Sequence, residues 1–406
     1  MLGPDAFPYL VLFLAALVTA LAATPLARVI AWRLDAVDYP SARRINREPT
    51  PRMGGIAVFL ALLAALGTQY WGTTFLDWPM VFQPAPWLSV DYHLLGVSFV
   101  IIFLVGAADD VWQLHPLAKL AGQIAAAVVA VAGGLIIGNV SNPFGQGDVM
   151  LGWVAYPATV AYLVAYVNII NLIDGLDGLA AGITCIASAT MLVLSAQAGR
   201  LDAAALSAAL CGSTLGFLRY NFHPASIFLG DSGSLLLGFA LGTISLLNVN
   251  RVAGLTTIII PLVVAGIPII DTFSAIVRRR RAHVGVSHAD KGHIHHRLIA
   301  EGFDQRQAVL FIYAWTALLC LGSYVMTQVT LWPRVAIFVI LVAASVGFAG
   351  RLHLFEPVLL HHRDPKTGDD ELVTPDDPAF EQEEERRLEA KEERREERWP
   401  HRRSGR

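Results

Sequence analysis

Apolar residues occupy this chain in long stretches, separated by short connections that carry its charge, glycine and proline. Eleven such stretches stand out, at 8–31, 54–71, 94–108, 119–138, 153–170, 179–198, 203–219, 234–249, 255–276, 308–328 and 332–354. Most approach the roughly 20 residues that a helix needs to cross a bilayer. Only helices and closed barrels satisfy their backbone groups inside lipid, and stretches of this length are helical rather than strand-like. The pattern predicts an all-α, polytopic integral membrane protein with about 11 transmembrane helices in residues 1–354. The apolar pattern stops near residue 355, so 355–406 are expected to be a charged tail, disordered or a solvated helix. Residues 380–399, rich in Glu and Arg, suit i, i+4 pairing.

Charge sets the orientation. The first stretch has no Lys or Arg before it and has Arg28 and Arg33 at its end, the reverse of a cleavable signal peptide. Alternate connections then carry Arg43, Arg44, Arg47 and Arg52, then Lys119, then Arg219, then Arg278 to Arg281 with Lys291, Arg297 and Arg306. The opposite set holds only Arg200, Arg251 and Arg334. The positive-inside rule places the first set in the cytoplasm, the N-terminus outside and the C-terminus in the cytoplasm.

Composition agrees: 55% of residues are hydrophobic, 16% are charged, and the net charge is −3. Soluble domains are nearer 25% charged. Cys185, Cys211 and Cys320 lie in apolar stretches without C-x-x-C spacing and read as small buried hydrophobes. Gly134 and Gly138 form a G-x-x-x-G, a weak sign of close helix packing. Neither a G-x-x-x-x-G-K-[ST] loop nor a G-x-S-x-G elbow is present. Nothing points to a nucleic-acid partner.

The chemistry lies on the cytoplasmic set. VNIINLIDGLDGLAA (167–181) places Asp174 and Asp177 three apart, on one face if the turn is helical, with Asn168 and Asn171 just before them. Asp109 and Asp110 end the third stretch, and Lys119 opens the next. Adjacent carboxylates repel and favour a bound cation or a raised pKa. Gly230-Asp231-Ser232-Gly233-Ser234 enters an apolar helix, where free N–H groups suit a phosphate, Asp231 suits Mg²⁺, and either Ser232 or Asp231 could equally cap the helix. Asp271 precedes Arg278–Arg281 and the histidines 293, 295 and 296. These fit a diphosphate better than zinc, since no cysteine is near, and Asp271 is open to a local pairing with arginine. The basic, proline-broken stretch 38–55 is either an anchor loop or a grip for phosphate. Five aspartates facing lipid at the midplane would cost roughly 12–18 kcal/mol, at about 2.5–3.5 each, so a wet cleft is required. Carboxylates with basic groups point to metal-assisted phosphoryl transfer.

Taken together, Pro49–Gly55 (P-x-PR-x-GG), the DD at 109–110 with Lys119 and Gln123, NIINLIDGLDGLAAG, NFHPASIFLGDSGS, PIIDT and DKGHIHHRL resemble the polyprenyl-phosphate N-acetylhexosamine-1-phosphate transferases, glycosyltransferase family 4. The motifs keep the family's order across residues 38–298, and the H-I-H-H form is similar to the bacterial UDP-N-acetylglucosamine branch. The resemblance implies transfer of N-acetylglucosamine-1-phosphate from UDP-N-acetylglucosamine to undecaprenyl or another polyprenyl phosphate. The products would be the polyprenyl-diphospho-sugar and UMP, initiating a cell-wall or surface glycan. It implies a multi-pass protein of the bacterial inner membrane with a cytoplasm-facing site, Mg²⁺ or in its place Mn²⁺, and room for a homodimer.

By motif position, Asp231 would be the main metal ligand. Asp109 would serve as base or covalent nucleophile, with Asp110 and Asp174 assisting at metal and phosphate. Asn171 and Asp177 would contact the uridine side, with Phe228 a candidate for stacking on the base, and Asn221 would bind substrate. Arg52 and Lys119 would meet phosphate, and Arg278, Arg279, Arg280, His293, His295 and His296 the sugar and diphosphate. Asn46 departs from the histidine usual in the related muramyl-pentapeptide branch. Two other readings remain: the same chemistry on another UDP-sugar, such as UDP-N-acetylmuramoyl-pentapeptide, and a cation-coupled transporter. The acids cluster on one face without repeated halves, which disfavours the second.

Overall fold

A computed structural model describes residues 6–39, 49–79, 81, 90–141, 148–249, 266–281, 292–355, 360–363, 370–373 and 386. It divides into two units, taken separately: residues 1–269 with 303–345, and 270–302 with 346–406. Among the described residues, nine helices are long and apolar enough to cross a membrane.

In the first unit, α1 (Ala6–Arg33), α2 (Gly55–Phe75), α3 (Tyr92–Trp112), α4 (Pro116–Ala132), α5 (Ala155–Ile173), α6 (Leu179–Gln197), α7 (Leu201–Asn221) and α8 (Gly230–Val249) follow in order. The helix α11 (Gln305–Gln328), opened by an Asp304–Gln307 capping box, packs on α6. The helix α8 is the most enclosed span and is packed by α2, α3, α5, α6 and α7. Its Leu235, Leu236, Leu237 and Phe239 are wholly buried. α1 shows how the outer spans pack. Its buried stripe of Ala16, Ala20, Ala23, Ala27 and Ala31 follows helical spacing. α7 meets that helix through Gly212 and Gly216, where an added Cβ would stand 2.2 Å from the Phe13 carbonyl and 2.6 Å from that of Leu17. Small residues let helix backbones approach in lipid, where water drives nothing together. The working G-x-x-x-G is therefore 212–216. Gly134 instead ends α4 at φ +85°, and Gly138 has open space around it.

Several boundaries differ from the pattern. The expected span 119–138 is the 17-residue helix α4, about 25 Å long at 1.5 Å per residue and short of the roughly 30 Å hydrocarbon core. It stops at Gly133–Gly134. Of the expected span 255–276, residues 255–265 lie outside the described residues, and the rest belongs to α9 (Gly266–Arg281), which runs on through the arginines. Asp109 and Asp110 sit inside the last turns of α3, and Asp231 inside the first turn of α8. Asp174 and Asp177 stand in a non-helical turn between α5 and α6, so they share no helical face.

The second unit holds most of α9 and the short α10 (Ile294–Ala300). The last span, α12 (Leu331–Arg351), starts in the first unit and is mostly exposed along its apolar length. Three two-stranded antiparallel ribbons lie between helices or after them, outside the all-α expectation. They are β1 (Val37–Asp38) with β2 (Thr50–Pro51), β3 (Asn139–Ser141) with β4 (Asp148–Met150), and β5 (Leu360–Arg363) with β6 (Asp370–Val373). The last ribbon lies in the segment expected to be a disordered or helical tail; residues 387–406 and the position Asn46 lie outside the described residues.

The start of α8 depends on a close backbone approach. An added Cβ on Gly55 would lie 2.2 Å from the amide nitrogen of Gly233, and one on Gly106 would lie 2.4 Å from the Asp231 carbonyl oxygen. Gly55→Ala should therefore lower stability by about 1–3 kcal/mol, the usual cost of overpacking. Gly67→Ala, whose Cβ would meet nothing within 4 Å, serves as the control. Thermal unfolding of both variants in detergent, followed by size exclusion, checks this; equal melting would show that the approach is looser than described.

Candidate active site

Four helix ends meet at one place. The last turn of α3 brings Asp109 and Asp110, the start of α4 brings Lys119, the end of α5 brings Asn171 and Asp174, and the start of α8 brings Asp231. Asp110 is buried, and its two oxygens receive the backbone N–H groups of Asp231 (2.8 Å) and Ser232 (3.0 Å). It thus caps α8 from another helix, a role the sequence offered only to Ser232 or Asp231. Gly230, at φ +71°, stands so close to this carboxylate that a Cβ would lie 2.7 Å from its oxygens. Expected as a metal ligand, Asp110 is committed first to this cap.

The Lys119 ammonium bridges Asp231 Oδ2 (2.8 Å) and Asp109 Oδ2 (3.3 Å). Asp109 Oδ1 also receives the Leu114 N–H at 2.8 Å, inside a turn where Gln113 adopts φ +49°. The Asn171 side-chain amide donates to Asp231 Oδ1 and to Ser234 Oγ (2.8 Å), so it orients the acid rather than facing a ligand alone. Asn168 is likewise engaged, donating to Gln123 Oε1 at 2.6 Å. Burial holds the Asp174 carboxyl well above the usual carboxylate range, and the charges of Asp231, Asp110 and Asp177 push the same way.

The stretch 50–55 joins the same place. The Phe228 N–H donates to the Pro51 carbonyl (2.8 Å), and those of Gly54 and Gly55 donate to the Phe228 and Leu229 carbonyls (each 3.0 Å). The Arg52 guanidinium donates to the Asp110 backbone carbonyl at 3.1 Å. The Phe228 side chain is half-buried.

Asn221, expected to bind substrate, is buried and ties two loops. Its Oδ1 accepts the Gly178 N–H (3.1 Å), and its Nδ2 donates to the Ile227 carbonyl (3.0 Å). With its hydrogen bonds made to backbone, it holds structure. Asp177 pairs with His223, a residue that sequence reasoning passed over: His223 Nδ1 donates to Asp177 Oδ2 at 2.7 Å. Its place in N-F-H-P, ahead of the G-D-S-G-S stretch, was the available signal.

Within the second unit, Asp271 is almost wholly buried. It accepts from His293 Nδ1 (2.8 Å) and from the Ile294 N–H at the start of α10 (2.8 Å), so its partner is histidine rather than arginine. Arg278 is buried and donates to the Leu354 carbonyl. Arg280 is exposed and His296 half-buried. The side chains of Arg279 and His295 lie outside the described residues.

The donor set of the first unit is all-oxygen carboxylate, the chemistry of a hard divalent cation. Among the described residues, no three acidic or histidine groups already form a metal cluster. The Lys119 ammonium is the cation between Asp109 and Asp231. These residues fit Mg²⁺ in chemistry, through Asp231 and Asp109, whose side chains keep 25% and 12% of their surface exposed.

The site defines a class: a multi-pass membrane protein with a carboxylate–lysine cluster built on helix ends. Residues 92–249 match the model of glycosyl transferase family 4. The chain is 39% identical over 332 residues to a probable undecaprenyl-phosphate N-acetylglucosaminyl 1-phosphate transferase of Bacillus subtilis, covering 82% of this chain and 88% of that one. It is 36% identical over 328 residues to a decaprenyl-phosphate N-acetylglucosaminephosphotransferase of Mycolicibacterium smegmatis, covering 74% and 78%. It is 32% identical over 332 residues to a phospho-N-acetylmuramoyl-pentapeptide-transferase of Moorella thermoacetica, covering 78% and 98%. The chain belongs to glycosyl transferase family 4, the polyprenyl-phosphate N-acetylhexosamine-1-phosphate transferases.

Asp110→Ala would orphan the two capping N–H groups and should cost about 1–3 kcal/mol, as buried unsatisfied donors do. Asp110→Asn keeps one acceptor oxygen and should lose less. Unfolding curves of the three proteins in detergent decide; superimposable curves would mean that α8 needs no cap from α3.

Proposed function

We propose that the protein transfers N-acetylglucosamine-1-phosphate from UDP-N-acetylglucosamine to undecaprenyl or a similar polyprenyl phosphate, releasing UMP, at the cytoplasmic face of the bacterial inner membrane. The observation that carries this reading is the convergence of Asp109, Asp110, Lys119, Asn171, Asp174 and Asp231 at one place, on or beside the ends of apolar helices. A lipid phosphate stays at the interface while its chain stays in lipid. A site on span ends therefore lets a membrane-bound acceptor meet a water-borne donor. The Bacillus subtilis N-acetylglucosaminyl relative covers more of this chain at higher identity than the muramoyl-pentapeptide relative, which supports the sugar assignment.

In this reading a divalent cation, Mg²⁺ or Mn²⁺, is held by Asp231 with Asp109 and supplies charge neutralisation for the diphosphate. Asn171 keeps Asp231 aimed. Lys119 and Arg52 bring positive charge to phosphate oxygens. Arg52 spends one hydrogen bond on Asp110, which leaves other guanidinium N–H groups for an anion. Asp109 is held by two donors, Leu114 N–H and Lys119. That suits a fixed acceptor for the proton of the lipid phosphate rather than a nucleophile that must swing. Asp110 and Asp174 complete the negative field. By motif position, the histidines 293, 295 and 296 with the Arg278–Arg280 run would take the sugar and diphosphate; within the second unit His293 is aligned by Asp271. Catalysis is then positioning and charge stabilisation around an in-line displacement.

The test is a transfer assay with purified protein, undecaprenyl phosphate, Mg²⁺ and a panel of UDP-sugars, scored by lipid product and UMP. Product from UDP-N-acetylglucosamine is expected; product only from another UDP-sugar would keep the chemistry and replace the donor. Asp231→Asn should drop turnover below about a tenth of wild type, a barrier increase above 1.4 kcal/mol, while the protein still inserts. A rate above that mark would remove Asp231 as principal ligand.

A further inference from the structure

The Asp177–His223 pair lies beside the acidic cluster, and the reaction scheme above gives His223 no task. Two loops face each other here: 174–178 between α5 and α6, and 222–229 between α7 and α8. They are tied at several points. Asp177 Oδ2 receives His223 Nδ1 (2.7 Å) and the Ala225 N–H (3.1 Å). Asn221 holds Gly178 and Ile227, and the Tyr313 hydroxyl of α11 donates to the Gly178 carbonyl at 2.5 Å. Arg306 donates to the His223 carbonyl at 3.1 Å.

The ties use Asp177 unevenly. Both donors fall on Oδ2, while no donor among the described residues meets Oδ1. The Asp177 side chain is 9% exposed, so a narrow part of it reaches the surface. Its charge is felt at Asp174, which places it in the same field as Asp231 and Asp110. A carboxylate with one oxygen pinned by two donors and the other open is a fixed hydrogen-bond acceptor. It cannot rotate to present both oxygens to a metal, and it repels phosphate. What it suits is an N–H on an otherwise neutral group. In a uridine donor, the imide N–H of the base has that character.

We propose that His223 is a positioning residue for the nucleotide donor: by holding Asp177 Oδ2 through Nδ1, it leaves Oδ1 aimed at the base's imide N–H. The proposal rests on the uridine-donor reading and deepens it. His223 need not touch the donor. The His223 side chain is 35% exposed.

Three substitutions separate the parts. An asparagine amide nitrogen sits where Nδ1 sits, so His223→Asn keeps the tie and removes the outer nitrogen. His223→Gln reaches the outer position without the tie. His223→Ala removes both. Loss of one hydrogen bond to a charged group is worth about tenfold or more in affinity. His223→Ala and His223→Gln should therefore raise KM for the UDP-sugar about tenfold, weaken UMP binding by a similar factor in calorimetry, and change kcat and the KM for polyprenyl phosphate little. His223→Asn should stay within about twofold of wild type in all four, a smaller change than one lost hydrogen bond produces.

Equal UMP affinity in wild type and the alanine variant, with both folded, would overturn the proposal. So would a parallel loss of kcat in every variant, which would make the tie merely structural. Rescue by glutamine rather than asparagine would overturn it too, by making Nε2 the working atom. Wild type that binds no UMP and forms no product from any uridine donor would defeat the functional reading itself, an outcome distinct from these.

Discussion

Asp110 reaches from the end of α3 and takes the Asp231 and Ser232 N–H groups, in the first turn of α8, on its two oxygens. A helix N-terminus presents unpaired donors and a partial positive charge. A buried carboxylate, for its part, needs donors or a counter-charge. Each satisfies the other, and the contact locks the register between two spans whose side chains do the rest. With that register set, the next residue, Asp231, emerges between Lys119 of α4 and Asn171 of α5. The approach also demands bare backbone, which Gly106 and Gly55 supply. Moving α8 by one residue would swap Asp231 for a glycine or a serine and leave Asp110 facing the wrong amides.

The second constraint is charge balance. One ammonium, Lys119, stands between two of the carboxylates, while Asp110 and Asp174 add to the negative field around it. In a medium of low dielectric such a set attracts cations strongly. Lys119 supplies part of the compensation from within the protein, and Asp174 is driven toward its neutral form. Such a surplus of negative charge is of the kind that a divalent ion would relieve, since the ion brings two positive charges and oxygen-seeking chemistry. The surplus is held in place by the packing of α8, whose side chains are almost all buried.

Much of the site could be read without coordinates because charge inside apolar sequence is rare and costly. Asp109, Asp110, Lys119, Asp174, Asp177 and Asp231 stood out for that reason and do gather in one region. What escaped was geometry that depends on distant partners. Asp174 and Asp177 are three apart, yet the chain turns between α5 and α6, so a rule about helical faces failed. Asn221 was expected to bind substrate and is a buried strut between loops. His223 drew no notice because its partner lies 46 positions earlier. The helix-packing glycines were sought at 134 and 138 and found at 212 and 216, since close approach is set by the neighbouring helix rather than by spacing alone. Span ends moved outward for a related reason: the polar residues that ended the apolar pattern, Asp109 and Asp231 among them, satisfy one another across helices and can remain helical.

Helix ends make a better frame for this site than loops would. A side chain in the last turn of a packed span inherits the rigidity of that span, and small errors of placement weaken catalysis steeply. Here several acids are further held by a second group: Asp231 by Asn171, Asp109 by the Leu114 amide, Asp177 by His223, and, separately in the other unit, Asp271 by its contact with His293. In two of these four pairs the holder is an amide or a backbone N–H, and histidine takes that place at Asp177 and Asp271.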